Sequence, residues 1–387
     1  MTPNSSVCKL EPVFILAKQV FRRLGMAGVV TTYLLVALNS PVWAQNFQVK
    51  STWLSGEKTT NHQIPHYGEK GVPTTETQPG ARKNMVSWED GQGNLWIFGG
   101  YGLNEDGKIG YLNDLWMWDG QFWTWKSGSK EVNINGAYGA KNVASESSFP
   151  GGRNNAVGWT DQNGSLWLFG GFGYDNSAVE PGQLNDLWKW DESKWVWVSG
   201  SDVDRQTGVY GTLGVSSAAN VPGSRQLSTV SKGVNGEAYI FGGQGYSASG
   251  EGFLNDLWKW DGENWTWVAG ISDDGEYGNY GTQMVAASSN TPGARIAPTS
   301  WVYQNGNYWL FGGYGYATSQ LGTLNDLWVW DGQQWMWVKG SNLNYSDGNF
   351  GQQNVTESSN TPRALSGAVI WREENGNVLL FGGSWGH

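Results

Sequence analysis

The chain has 387 residues, with 57 Gly, 26 Trp, 15% charged residues and 14% aromatic residues. That much aromatic area with so little charge excludes a disordered chain. The formal net charge of −10 argues against nucleic acid, whose phosphates need a basic face.

The first 44 residues read as an export leader. Lys9, Lys18, Arg22 and Arg23 precede an apolar run from Leu24 to Leu38, and Val42-Trp43-Ala44 offers small or aliphatic residues where a signal peptidase reads. The run is shorter than the roughly 18–20 residues a membrane span needs, so a cleaved signal is expected rather than an anchor. The mature chain would begin at Gln45 and lie in the periplasm or outside the cell, with no membrane span. Cys8, the one cysteine, falls in this leader, so the mature fold must hold by packing alone. Without the leader, net charge falls to about −13.

Beyond the leader a repeat governs the chain. Leu112-Asn-Asp-Leu-Trp-Met-Trp118 recurs at Leu184–Trp190, Leu254–Trp260 and Leu324–Trp330, with a period of about seventy residues. A supersecondary unit copied at fixed period signals a propeller, solenoid or array. In one period, Ala156–Thr160 reads as a first strand. Leu166-Trp-Leu-Phe-Gly-Gly171 is a short apolar run suited to a buried second strand. Asp186–Trp190 is the third strand, Asp191-Glu-Ser-Lys194 a four-residue hairpin loop, and Trp195–Ser199 the fourth strand. This spacing sets Trp190 opposite Trp195 and Trp188 opposite Trp197. Each repeat thus presents an aromatic slab that a neighbouring sheet must cover, and the next repeat is expected to cover it.

Phe-Gly-Gly occurs at 98–100, 169–171, 241–243, 311–313 and 381–383. The fifth copy has no Leu-Asn-Asp-Leu-Trp strand. Phe47–Gly56, with Ser51-Thr-Trp-Leu-Ser-Gly56, matches a fourth strand, so this N-terminal strand is expected to close the last blade.

Taken together, these marks resemble the kelch repeat of β-propellers. Arg82, Arg153, Arg225, Arg295 and Arg363 precede the first strand. Gly-Gly ends the second, Leu-Asn-Asp-Leu-Trp-x-Trp-Asp forms the third, and a Trp sits in the fourth. The resemblance covers residues 47–383, with a period near seventy where the family has about fifty. It implies an all-β, kelch-type propeller of about five four-stranded blades over residues 45–387. The same fold houses radical-copper oxidases and a sialic acid mutarotase. The oxidase chemistry needs a Cys–Tyr crosslink and two His ligands, and the mature chain has no Cys and only His62, His66 and His387. No local motif supports the mutarotase.

In such a blade the loops after strands two and four share one face. Here they are long: 101–111, 172–183, 244–253 and 314–323 after Gly-Gly, and 129–149, 201–221, 271–291 and 341–361 after the fourth strand. Loops of that length are usually functional or disordered, and constant length argues against disorder. Repeated aromatics before Gly (Tyr67, Tyr138, Tyr210, Tyr280, Phe350) are expected to pin each loop to the scaffold. The rings after Gly-Gly, namely Tyr101, Phe172, Tyr174, Tyr246, Tyr314 and Tyr316, are the candidate ligand-binding residues, because Tyr offers a flat apolar area with a polar tip. The repeated Arg and the Asp of Leu-Asn-Asp are expected to be structural, as Arg–Asp pairs between blades or as hydrogen-bonded turns.

Asp202, Asp204, Asp273, Asp274 and Glu276 break the repeat but lack a calcium-loop pattern, and His62 and His66 read as a solvated loop. No cofactor or metal is expected. The leading expectation is an exported, non-catalytic binding propeller, monomeric, that holds a glycan or a protein on its loop-rich face. One alternative is a carbohydrate-acting enzyme such as a sugar mutarotase or lyase, for which Glu180, Asp175, Arg205 and Glu251 would have to converge. Another is a structural cell-surface repeat.

Overall fold

A computed structural model describes residues 7–11, 50–56, 62–191, 193–373 and 376–385. Every regular element among them is a β-strand. The repeat folds as five consecutive antiparallel sheets, and the architecture is a β-propeller. In the second sheet the strands are Arg153–Asn154 with Val157–Thr160, then Leu166–Gly173, Gly182–Trp190 and Trp195–Ser199. The third and fourth sheets copy this order, and the first does so with its second and third strands also split in two.

First strands form the hub. Each is interrupted by a residue in the left-handed region, namely Asn84, Asn155, Leu227 and Ala297, with Gly367 in the fifth sheet. Their backbones form one hydrogen-bonded chain across the array. Asn155 N donates to Asn84 O (3.0 Å), Leu227 N to Asn155 O (3.1 Å), Ala297 N to Leu227 O (2.8 Å) and Gly367 N to Ala297 O (2.9 Å).

The Trp register is as the spacing predicts: Trp188 faces Trp197 and Trp190 faces Trp195, and the same pairs recur in the first, third and fourth sheets. The cover, however, comes from the preceding repeat, not the next one. Trp88, Trp96, Phe98 and Leu115 of the first sheet enclose Trp188, Trp190 and Trp195 of the second. The second sheet covers the third, and the third covers the fourth, in the same way. The core therefore lies between sheets, with aromatic pairs worth about 0.5–1.5 kcal/mol each beyond area burial.

Gly-Gly does not end the second strand. The strand bulges there and continues, as Leu166–Gly173, Ala238–Tyr246 and Tyr308–Tyr316. Gly170, Gly242 and Gly312 have φ of +63 to +64°, and a Cβ on any of them would lie 2.6–2.9 Å from a carbonyl oxygen of the next sheet. Only glycine permits that approach. The segments after Gly-Gly are thus paired hairpin extensions, not free loops.

The fifth sheet departs from expectation. It consists of Ser366–Arg372 and Val378–Ser384. Lys50–Ser55, the strand expected to close it, pairs instead with Val7–Glu11 in a separate two-stranded sheet. The rest of the expected leader, residues 1–6 and 12–44, lies outside the described residues, as do Phe47–Val49 of the closing strand. Arg363 also leaves the series. Gly313 N donates to Leu365 O (2.8 Å), as Gly100 N does to Arg153 O (2.8 Å), so Leu365 occupies the arginine position. Arg363 instead lies 4.3 Å over Trp385 and 3.5 Å from Asp347.

Candidate functional site

The repeated charges form scaffold. Arg153 donates twice to Asp186, Nη1 to Oδ1 (2.6 Å) and Nη2 to Oδ2 (2.7 Å). Its Nε reaches Gly151 O, and its Nη1 also reaches Gly170 O. Asp186 Oδ2 further accepts from Tyr138 OH (2.8 Å) and Trp188 Nε1 (2.7 Å). Tyr67–Arg82–Asp114–Trp116, Tyr210–Arg225–Asp256–Trp258 and Tyr280–Arg295–Asp326–Trp328 repeat the unit. The pair forms within one sheet, between its first and third strands, rather than between blades. Every member is buried. The Tyr residues before Gly therefore bind scaffold, as their repetition implies, and their phenols are pushed well above the ordinary value by burial first and the neighbouring carboxylate second.

The candidate ligand-binding rings occupy the hairpin extensions, all six partly buried. Five of them fall in two groups, and Tyr246 belongs to neither. Tyr111, on the third strand opposite Tyr101, sits 5.1 Å from Tyr101 and 5.9 Å from both Phe172 and Tyr174 of the next sheet. Phe253 does the same two sheets on, 6.2 Å from Tyr314 and 6.1 Å from Tyr316, with Tyr277 5.0 Å from Tyr316. Tyr111, Phe253 and Tyr277 were missed in the sequence. The signal was there: Tyr111 and Phe253 each stand immediately before the Leu of Leu-Asn-Asp.

Between these groups the pattern breaks. The position of Tyr111 and Phe253 is Gln183 in the second sheet. Its Nε2 donates to Glu251 Oε1 (3.0 Å), and Glu251 Oε2 accepts from Tyr246 OH (3.2 Å). Arg205 N donates to Gln183 O (2.8 Å), and Arg205 Nη1 pairs with Asp204 Oδ2 (2.8 Å). Asp204 N in turn donates to Asp175 Oδ2 (2.9 Å). Arg205 holds φ +55°, where the other sheets have Asn133, Gly275 and Tyr345. A long side chain in the left-handed region is uncommon and marks a position worth a functional account. Desolvation raises the Asp204 carboxyl; Arg205 opposes this and Asp175 reinforces it. Tyr246 is raised by burial and then by Glu251.

Of the acids and bases expected to converge, Asp175 and Arg205 meet through Asp204, and Glu251 joins through Gln183 and Tyr246. Glu180 is exposed, beside Tyr174. Asp273 and Asp274 lie outside this set, bonded to Ser249 and Ser247 as turn formers. His66 bridges Gln78 and lies 3.7 Å from Glu76. Among the described residues, no three His, Cys, Asp or Glu residues are placed to hold a metal ion, and no helix is long and apolar enough to cross a membrane.

No protein-family model matches the chain, and no curated protein matches it in sequence. Among solved structures it is similar to one described as the structure of YjhT, at 13% identity and a TM-score of 0.47, over 87% of this chain and 89% of that one.

Proposed function

We propose that the protein is an exported, non-catalytic binding propeller of the kelch type that holds a glycan across its hairpin extensions, above the junction of the second and third sheets. One observation carries this reading: two aromatic groups flank a single polar gap where Gln183, Glu251, Tyr246 and Arg205 converge. Sugar rings present apolar C–H faces and hydroxyl edges. Partly buried Tyr and Phe rings meet the first, and an amide, a carboxylate and a guanidinium meet the second. The scaffold charges offer no competing site, because each buried Arg–Asp pair is internally satisfied.

The test is a broad glycan array probed with the purified protein. Specific binding that falls at least about tenfold in a folded Tyr246→Ala/Tyr314→Ala/Tyr316→Ala variant supports the reading, since aromatic anchors commonly carry that much affinity. A folded protein that binds no glycan overturns it.

A carbohydrate-acting enzyme is the second reading, favoured by the raised Asp204 carboxyl beside Asp175. Turnover of a bound glycan, lost in Asp204→Asn, would select it. Export rests on the basic leader and apolar run before Gln45. N-terminal sequencing of protein recovered from the envelope or medium should begin at Gln45, and an intact Met1 would refute cleavage.

A further inference from the structure

The junction of the first and second sheets holds a cavity that the next two junctions fill. It lies at the short-loop end, away from the hairpin extensions, and has a volume of about 360 Å³. Trp96, Leu166 and Trp190 form a buried floor, and Met117 and Lys126 a partly buried wall. The turns at 90–94 and 162–164 form the rim.

The cavity exists because side chains are missing. Gly91 and Gln162 hold the same place, each just after the Asp that opens its turn. The Gln162 side chain lies over Gly236 of the third sheet, where an added Cβ would meet it at 2.8–3.1 Å. An added Cβ on the matching Gly164 would meet nothing within 4 Å, because Gly91 has nothing to place there. At the second junction Trp167 also reaches Trp260, at 5.7 Å. At the third, Tyr308 replaces Leu166 and lies buried 5.8 Å from Tyr239 and 6.1 Å from Trp335. The volume left at the first junction is within the range of small-molecule sites.

Its charge is also particular to this junction. Lys126 stands where the second and third sheets have Val198 and Val268, both packed on the core. Its ammonium lies 5.9 Å over the Trp96 ring and makes no ion pair among the described residues. Asp90, the acid of the lining, accepts from Gln92 N, Asn94 N, Asn94 Nδ2 and Trp96 Nε1 at 2.8–2.9 Å. Four donors fill a carboxylate, so Asp90 has no place left for a ligand ammonium. The charge on offer is therefore the cation, beside a floor of flat apolar rings.

We propose that this cavity binds a small organic monocarboxylate with a flat apolar body. The body lies against Trp96, Leu166 and Trp190, and the carboxylate meets Lys126, with the exposed Gln92 and Asn163 amides at the rim as further donors. The site is separate from the glycan face and does not rest on that reading.

Indole-3-acetate and its neutral isostere indole-3-acetamide are the probes, titrated calorimetrically into the full chain. Saturable one-to-one binding of the acetate is expected, with the amide about tenfold or more weaker, as for loss of a charged hydrogen bond. Lys126→Val, which copies the second and third sheets, should weaken the acetate by a similar factor. Gly91→Gln copies the second sheet's turn and should abolish binding with the thermal transition kept. Gln183→Ala should bind the acetate unchanged. Absence of saturable binding, equal binding of the amide, undiminished binding by folded Gly91→Gln, or a loss in Gln183→Ala would each overturn the proposal.

Discussion

Arg225 shows how a single residue sets the repeat. Its guanidinium satisfies both oxygens of Asp256 and two glycine carbonyls, while Tyr210 and Trp258 fill the remaining carboxylate capacity. Burying these charges is costly unless every bond is made, and removing one partner leaves the other stranded. Arg225→Ala should therefore lose about 3–5 kcal/mol of stability in denaturant titration; a loss below about 1 kcal/mol, the scale of an exposed ion pair, would refute the assignment. The phenols add a pH dependence. Tyr67, Tyr138, Tyr210 and Tyr280 have folded values raised above the ordinary 10.0, so they favour the folded state below pH 10 and lose that contribution as pH rises beyond it. Ultraviolet titration should show these four phenols ionising only together with unfolding; their ionisation near pH 10 in a folded chain would contradict it. The repetition of Tyr, Arg and Asp was legible in the sequence, and so was their scaffold role. That Asp unites all three within one sheet was not, because residues some 30 and 47 apart meet only through strand order. Arg363 misled for a related reason: it lies two residues from the position its sequence context implied, which Leu365 takes.

At the scale of the element, the Phe-Gly-Gly motif is a bulge that lets one sheet's backbone touch the next. Gly242→Ala would combine a left-handed φ with a Cβ 2.8 Å from Arg295 O. The backbone strain alone costs about 1–3 kcal/mol. A thermal scan should show a clear drop for Gly242→Ala and almost none for Gly91→Ala, where φ is not positive and no atom lies within 4 Å; equal effects would mean that neither the left-handed φ nor the close approach carries weight. The sequence marked strand ends at Gly-Gly because Gly usually punctuates strands. The bulge reverses that reading, and it is what carries Phe172, Tyr246 and Tyr314 onto rigid paired hairpins. The aromatic spacing fixed the Trp register unaided. Which neighbour covers which slab depends on the handedness of stacking, which spacing alone does not encode.

Across the whole molecule, symmetry separates scaffold from function. Four sheets repeat one network, one bulge and one Trp register, and two places depart from them: the polar gap at Gln183 and the fifth sheet, which has two strands among the described residues. The gap was half visible in the sequence. Asp175, Arg205 and Glu251 stood out as unrepeated, but only the fold joins them to Tyr246 between two aromatic groups. The measurement that tests this most directly is calorimetric titration of an array-selected glycan into the wild-type chain, Gln183→Ala and Asn163→Ala, the last on the opposite, short-loop end. The account predicts a loss of about tenfold or more for Gln183→Ala, as for a residue at the centre of a binding site, with Asn163→Ala unchanged. Equal affinity in Gln183→Ala, or a loss confined to Asn163→Ala, would contradict it.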